Sequence, residues 1–260
     1  MNKIFYALMV LGVLTSCADT YSIQGTSNVS TLDGRMLFLK VLKNNDLKNV
    51  DSCEVVHGQF HFAGNIDTTT MATIFMDDES IMPIVLEDGD IAIKLDLTQR
   101  AVSGTPLNDK LFKFIDHYTQ LQNQVNELGH KQSQAIMDGE DEQVTNERLM
   151  REANIIAQRE DSLVTTFITD NFDNVLGPGV FMMMTAVYRY PELTPWIEDI
   201  MSKATDKFKS DPYVKDYYQK AQENQAIMNG MAEPAATTTP QAAPMTAPGV
   251  SLPIDTLKAE

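Results

Sequence analysis

The sequence predicts an α+β fold: an N-terminal antiparallel β-sandwich or jelly-roll-like domain, an all-α helical domain, and a disordered tail. Three observations predict it. Between residues 21 and 104, short apolar or β-branched runs alternate with turn residues. From Leu107 the apolar period lengthens from two to about three and a half, the helical value. From residue 231, Ala, Pro and Thr replace the large apolar residues.

Composition bounds the rest. Lys and Arg number 20 against 36 Asp and Glu in 260 residues, a formal charge of -16 and a pI of about 4.5. So acidic a surface repels phosphate backbones, which excludes nucleic acid as a partner. A hydrophobic share of 43% suffices for a packed core and excludes wholesale disorder. Two cysteines exclude a disulfide framework and a four-cysteine zinc site.

At the N-terminus, Lys3 precedes an unbroken apolar run from Ile4 to Leu14. The run is too short to span a bilayer and fits the apolar region of a secretory signal peptide, residues 1–16. It ends in Leu14-Thr15-Ser16-Cys17, which resembles a bacterial lipobox. That resemblance implies cleavage before Cys17, acylation of Cys17 and a lipidated N-terminus over residues 17–20. Ala18 follows, so the aspartate that retains some lipoproteins at the inner membrane does not stand there. The expected location is the cell envelope, at the outer membrane.

The β-domain, residues 21–106, holds eight strand-like runs: YSIQGT, RMLFLKVL, NVDSCEVV, QFHFAG, MATIFM, IMPIVLE, DIAIKLD and RAVSG. Eight short strands at this spacing suggest two stacked sheets. His57-Gly58 reads as a two-residue hairpin turn. That register pairs Val56 with Gln59, Val55 with Phe60, Glu54 with His61 and Cys53 with Phe62. Alternation then turns Cys53, Val55, Phe60 and Phe62 to one face, and Glu54 and His61 to the other.

The helical domain, residues 107–230, opens on a stripe of Leu107, Leu111, Phe114, Tyr118, Leu121, Val125 and Leu128, alternately four and three apart. Residues 136–143 (IMDGEDEQ) break it. A second helix over about 144–172 turns Leu149, Ala153, Ile156, Leu163 and Phe167 inward, its stripe interrupted by Glu160. The short connection favours an antiparallel pair within the chain. Gly177-Pro178-Gly179 is expected to end that section, and a Met-rich helix to follow over 180–188. Thr194-Pro195 and Asp211-Pro212 read as N-cap plus first-turn proline, opening two more helices, the last reaching Met228. The tail, 231–260, reads as a flexible tether.

Four pieces together are similar to one bacterial group: Tyr21-Ser-Ile-Gln-Gly25, Asp51-Ser-Cys-Glu-Val-Val-His-Gly-Gln-Phe60-His-Phe-Ala-Gly64, Val85-Leu-Glu-Asp-Gly-Asp-Ile91 and Val102-Ser-Gly-Thr-Pro-Leu-Asn-Asp109. They resemble the N-terminal domain of unknown function (DUF 4369) that precedes the thioredoxin-like domain of lipid-anchored thiol:disulfide interchange proteins. The resemblance covers residues 21–109, with helices as the usual continuation. In that family the redox work lies in a Cys-x-x-Cys, which this sequence lacks. No oxidoreductase activity and no catalytic residue carry over.

Each candidate for chemistry has a plainer reading. Cys53, His57 and His61 suggest a metal site by composition, but a hairpin separates them; Cys53 reads as a small buried apolar residue. Glu87, Asp88 and Asp90 flank a glycine, as calcium ligands do, yet read better as a strand-connecting turn. Met182, Met183 and Met184 offer either an adaptable binding surface or core filling. Trp196, Tyr188, Tyr190, Tyr213, Tyr217 and Tyr218 offer a partner surface or core. Thr68, Ser162 and Thr256 sit in Asp-Thr/Ser triplets that resemble a bacterial O-glycosylation pattern. The sequence holds no Gly-x-Ser-x-Gly elbow, Walker loop or dinucleotide fingerprint.

The expected function is therefore non-catalytic: a lipid-anchored envelope module, without cofactor or metal, that binds a ligand or protein partner. One competing expectation is an accessory subunit to a separate thioredoxin-like protein. The other is an enzyme, such as a carboxylate hydrolase, whose site assembles from dispersed residues.

Overall fold

A computed structural model describes residues 19–43, 46–96, 99–188 and 190–230. The stretch expected to be a signal peptide, Cys17 and the tail with Thr256 lie outside the described residues.

All eight expected strands form: β1 Asp19–Ser27, β2 Met36–Lys43, β3 Asp46–Glu54, β4 Gln59–Ile66, β5 Thr70–Met76, β6 Glu79–Leu86, β7 Gly89–Leu95 and β8 Arg100–Ser103. They make two four-stranded sheets, ordered β4-β1-β7-β8 and β3-β2-β5-β6. Five ladders are antiparallel as expected; β1 and β7 run parallel, Ile23 opposite Ile91. A parallel neighbour needs a crossover, and the whole of β2 to β6 supplies it.

Period-two alternation turns one face of each sheet inward. Ile23, Leu37, Leu39, Phe62, Ile74, Ile84, Ile91 and Leu95 meet between the sheets, each essentially fully buried. Burying each such side chain contributes about 1.5–3 kcal/mol.

The β3–β4 hairpin needs correction. The turn is as expected, with positive φ at both His57 (52°) and Gly58 (70°), and Val56 pairs with Gln59. Beyond that bridge the strands part: β3 pairs with β2 in one sheet and β4 with β1 in the other. Cys53, Val55, Phe60 and Phe62 still share one core, approached from opposite sides. Alternation identifies the buried face of a strand, not its neighbour.

β5 and β6 are buried along nearly their whole length, not alternately. The cause is a third layer: a helical body, of six helices among the described residues, packs on the outer face of the second sheet at Met71 and Val85. They are α1 Pro106–Met137, α2 Glu142–Thr169, α3 Leu176–Thr185, α4 Pro195–Lys203, α5 Asp206–Ser210 and α6 Pro212–Met228. A second core joins Val85 of β6 to Leu111, Phe114, Ile168, Leu176 and Phe208.

α1 and α2 form the expected antiparallel hairpin. Phe114 meets Phe167 at 4.4 Å between ring centroids near its base. Lys131 reaches Glu152 at 2.7 Å and Gln132 reaches Asn146 at 3.1 Å further out. The Asp141 side chain caps α2 by accepting from Val144 N. Thr194 and Asp211 cap α4 and α6, each followed by a first-turn proline, as the sequence anticipates. The short α5 was not anticipated.

A further correction concerns Gly177-Pro178-Gly179. It does not precede α3 but lies in its first turn. There the backbone N–H groups have no intrahelical partner, so a proline removes nothing.

Candidate functional site

The second and third layers are fastened together by a buried polar latch. Asn108, in the first turn of α1, is fully buried. Its Oδ1 accepts from Val85 N at 2.9 Å, and its Nδ2 donates to Val85 O at 2.8 Å and Thr105 Oγ1 at 2.8 Å. The side-chain amide thus satisfies the free edge of β6 as a neighbouring strand would. Glu87 Oε1 accepts from Leu107 N at 2.9 Å and Asn108 N at 3.0 Å, placing a carboxylate at the positive end of α1.

Glu87 is therefore a helix cap. Asp88 accepts from Thr20 N at 2.9 Å, and Asp90 is exposed. The three carboxylates of the calcium reading do not converge on a common point. Cys53, His57 and His61 are likewise separated, Cys53 half-buried toward the core, His57 in the turn and His61 outward on β4. Burial pushes the Cys53 thiol above its ordinary pKa, which keeps it protonated.

A cleft of about 150 Å³ opens between the outer face of the second sheet and the helices. Its floor follows the ladders: Lys40 pairs with Thr73, Thr73 with Pro83, and Leu42 with Leu47. Its roof is α3 with the start of α6: Pro178, Met182, Met183, Pro212 and Tyr213. Helix and sheet touch at Gly179, where a Cβ would lie 2.8 Å from Met71 Cγ. Asp211 Oδ1, on the roof, accepts from Tyr213 N at 3.0 Å and Val214 N at 3.2 Å. The Tyr213 hydroxyl lies 3.1 Å from Thr185 Oγ1, and burial raises its pKa, so the wall presents a neutral phenol. A neighbouring hollow of about 450 Å³ shares Val175, Pro178 and Asp211 with the cleft and continues to Leu107 and Phe172.

Two residues of the methionine run, Met182 and Met183, line this cleft; Met183 is buried and Met182 and Met184 half-buried. The aromatics divide. Trp196, Tyr213 and Tyr217 pack around Phe181, with Trp196 Nε1 donating to Thr165 Oγ1 at 2.8 Å. Tyr218 packs against the same core. Tyr188 and Tyr190 are exposed. Thr68 and Ser162 are exposed, on the β4–β5 connection and on α2.

The latch and the cleft are both beyond the sequence reading. Thr105-Pro106 announces a helix start, but nothing local marks Asn108 as the partner of a distant strand edge. The cleft's one signal is the unbroken apolar character of MATIFM and IMPIVL, which needs a second covering layer.

Glu160, which interrupts the α2 stripe, places its charge near the Tyr118 hydroxyl. Burial, then the Glu160 charge, push the Tyr118 pKa up to about 12 from an ordinary 10.0. The folded value exceeds the unfolded one, so the stability this contributes is complete below pH 10 and lost as pH rises toward 12. Tyr118→Phe is expected to flatten the alkaline fall in Tm between those pH values. Thermal melts of both proteins at pH 8 through 12 test this; parallel curves would count against the burial of Tyr118 beside the Glu160 charge.

Compared with known families, residues 21–111 match the model described as Domain of unknown function (DUF4369). Neither the curated proteins nor the solved structures give a match. The matched stretch runs through all eight strands and ends at Leu111, within α1, so it includes Glu87 and Asn108.

Proposed function

We propose that this chain, a DUF4369 domain over residues 21–111 followed by a helical body, is a lipid-anchored envelope protein that binds a partner or ligand without transforming it. The observation that carries this is the lining of the cleft. Methionine, leucine and proline surfaces from β2, β3, β5, β6 and α3 meet there, with one ammonium and one capping carboxylate. Such a surface offers contact area and adaptable thioethers, which favour binding. Its place between two layers is a common place for ligand sites.

The anchor reading rests on the Leu14-Thr15-Ser16-Cys17 pattern. Cys17 precedes Asp19, the first residue of β1, by two positions, a span of at most about 7 Å. An acylated Cys17 would hold the β1 end of the sandwich, where Thr20 meets Asp88, against the bilayer surface. Cys17→Ala should move the protein from the membrane to the soluble fraction of a cell extract. Full membrane retention of that variant would remove the anchor.

The binding reading is tested by a photo-crosslinking amino acid placed in intact cells. It would replace Met182 in the cleft or Gln158 on the exposed face of α2. Adducts are expected from position 182 and not from 158. Equal yields at both, or none at 182, would overturn the cleft as the binding site.

A further inference from the structure

The hairpin of α1 and α2 extends past the body that carries it. Among the described residues, none between Tyr118 and Leu163 belongs to either apolar core. From Tyr118 to Met137 this arm runs about 28 Å. One of its sides can be traced from the Gln132–Asn146 bond, at 3.1 Å between the two helices. Ile136 follows Gln132 by one turn and Val125 precedes it by two, so both share its side of α1. Met150 follows Asn146 by one turn and shares its side of α2. The bond therefore puts Val125, Ile136 and Met150 on one side of the hairpin, where they are 40, 68 and 67% exposed. Glu142 and Glu147 line one hollow with Asn146 and Met150, so the same side is acidic. Among the described residues neither carboxylate has a Lys or Arg within salt-bridge distance.

We propose that this side of the arm docks a cationic amphipathic helix of a protein partner, laid along the groove between α1 and α2. Its apolar row covers Val125, Ile136 and Met150, and its Lys or Arg side chains reach Glu142 and Glu147. The proposal is independent of the cleft. Two antiparallel helices present a groove that a third helix fills. Val125 and Ile136 stand about 16 Å apart along α1, three turns of such a helix. The thioether of Met150 adapts to partners of varied shape. Charge chooses among the occupants. Residues 136–147 hold five Asp and Glu and no Lys or Arg. A second copy would bring the same acids against them, and an anionic bilayer would be repelled in the same way. A cationic helix is attracted before contact and matched after it.

The test titrates the full-length protein, labelled with ¹³C at the methionine methyls, with three synthetic peptides of equal length. They are a Leu/Lys amphipathic helix, its Leu/Glu counterpart, and a Ser/Lys peptide with the charge of the first. The Leu/Lys peptide is expected to shift the Met150 methyl signal and to leave those of Met182 and Met183, in the cleft, unmoved. It should bind about tenfold more tightly than the Ser/Lys peptide, the worth of one buried apolar side chain, and the Leu/Glu peptide should not bind. Val125→Gln with Ile136→Gln should weaken the Leu/Lys peptide about tenfold. Glu142→Gln with Glu147→Gln should weaken it about fivefold, the scale of two exposed ion pairs, and reduce its salt dependence. All four positions are exposed, so the fold should tolerate the changes. Equal affinities for the Leu/Lys and Ser/Lys peptides would reduce the attraction to net charge and overturn the docking face. Binding of the Leu/Glu peptide as tight as that of the Leu/Lys peptide would overturn the cationic assignment. Shifts at Met182 or Met183 without Met150 would place the peptide in the cleft and overturn the arm, and no binding of the Leu/Lys peptide would overturn the proposal outright. Sedimentation of the protein alone tests the second copy: a dimer that Ile136→Gln dissociates would make that copy the occupant and overturn the cationic partner. The wild-type comparison of peptides decides the matter even where a variant folds poorly.

Discussion

Asn108→Ala is expected to lower the stability of the protein by about 3 kcal/mol. The variant loses little packing area; the cost comes from what it orphans. Val85 N–H and C=O are both satisfied on that side by the Asn108 amide, at 2.9 and 2.8 Å, inside a buried junction. Each unsatisfied buried group costs about 1–3 kcal/mol. The Glu87 carboxylate would keep its bonds to the backbone of residues 107 and 108, so the helix cap survives, while the edge mimicry and the Nδ2 bonds to Thr105 Oγ1 and Glu87 Oε1 are lost. Asn108→Asp separates the two contributions. It keeps the shape and the Oδ1 acceptor, but turns an oxygen toward the Val85 carbonyl and the Glu87 carboxylate. It should therefore cost at least as much as alanine, although it is nearly isosteric. Urea midpoints read by Trp196 fluorescence, which reports the helical layer, and by far-UV circular dichroism measure both. An Asn108→Asp variant as stable as the wild type would show that the site tolerates shape without the hydrogen-bond pattern.

The latch also shows where reading the sequence stops. Strands and long helices were legible because their periods are local: a two-residue repeat in DIAIKL, a heptad-like repeat from Leu107. Caps were legible for the same reason, since Thr194-Pro195 and Asp211-Pro212 carry their own chemistry. Partner choice was not. The apolar alternation of β3 and β4 would look the same whether the strands paired with each other or faced each other across a core. Nor does a sequence show which strand edge a buried asparagine will complete. Glu160 stood out only as an interruption; its partner Tyr118 lies on another helix. The cleft is less legible still, because its walls come from six elements, β2, β3, β5, β6, α3 and α6.

Gly25→Ala should be of comparable severity, at about 3 kcal/mol, and for the opposite physical reason: it adds atoms where there is no room. Gly25 on β1 pairs with Phe60 on β4, and a Cβ there would lie 2.0–2.3 Å from three carbons of the Phe60 ring. The far end of the ring covers the glycine, and this arrangement repeats in reverse along the same ladder. Tyr21 of β1 pairs with Gly64 of β4, where a Cβ would meet the tyrosine ring and hydroxyl at 2.8–3.0 Å. Two aromatic side chains thus cover two glycines, one in each direction, which fixes the register of β1 against β4. The Phe60 ring cannot swing clear, because it is buried and packs edge-on against Phe62 at 6.1 Å. Gly64→Ala should cost less, since its closest clash is with the hydroxyl at the far end of Tyr21. The decisive measurement is a double-mutant cycle by urea unfolding. Phe60→Leu alone opens space and costs about 1–2 kcal/mol. Combined with Gly25→Ala, it gives the new methyl somewhere to go, so the double variant should be more stable than the sum of the single losses by 1 kcal/mol or more, about the scale of coupling between touching residues. Additive losses would mean that Gly25 is needed for its backbone and not for the ring above it. The glycine–aromatic spacing in Tyr21-Ser-Ile-Gln-Gly25 and Phe60-His-Phe-Ala-Gly64 would then need another physical cause than their reciprocal cover.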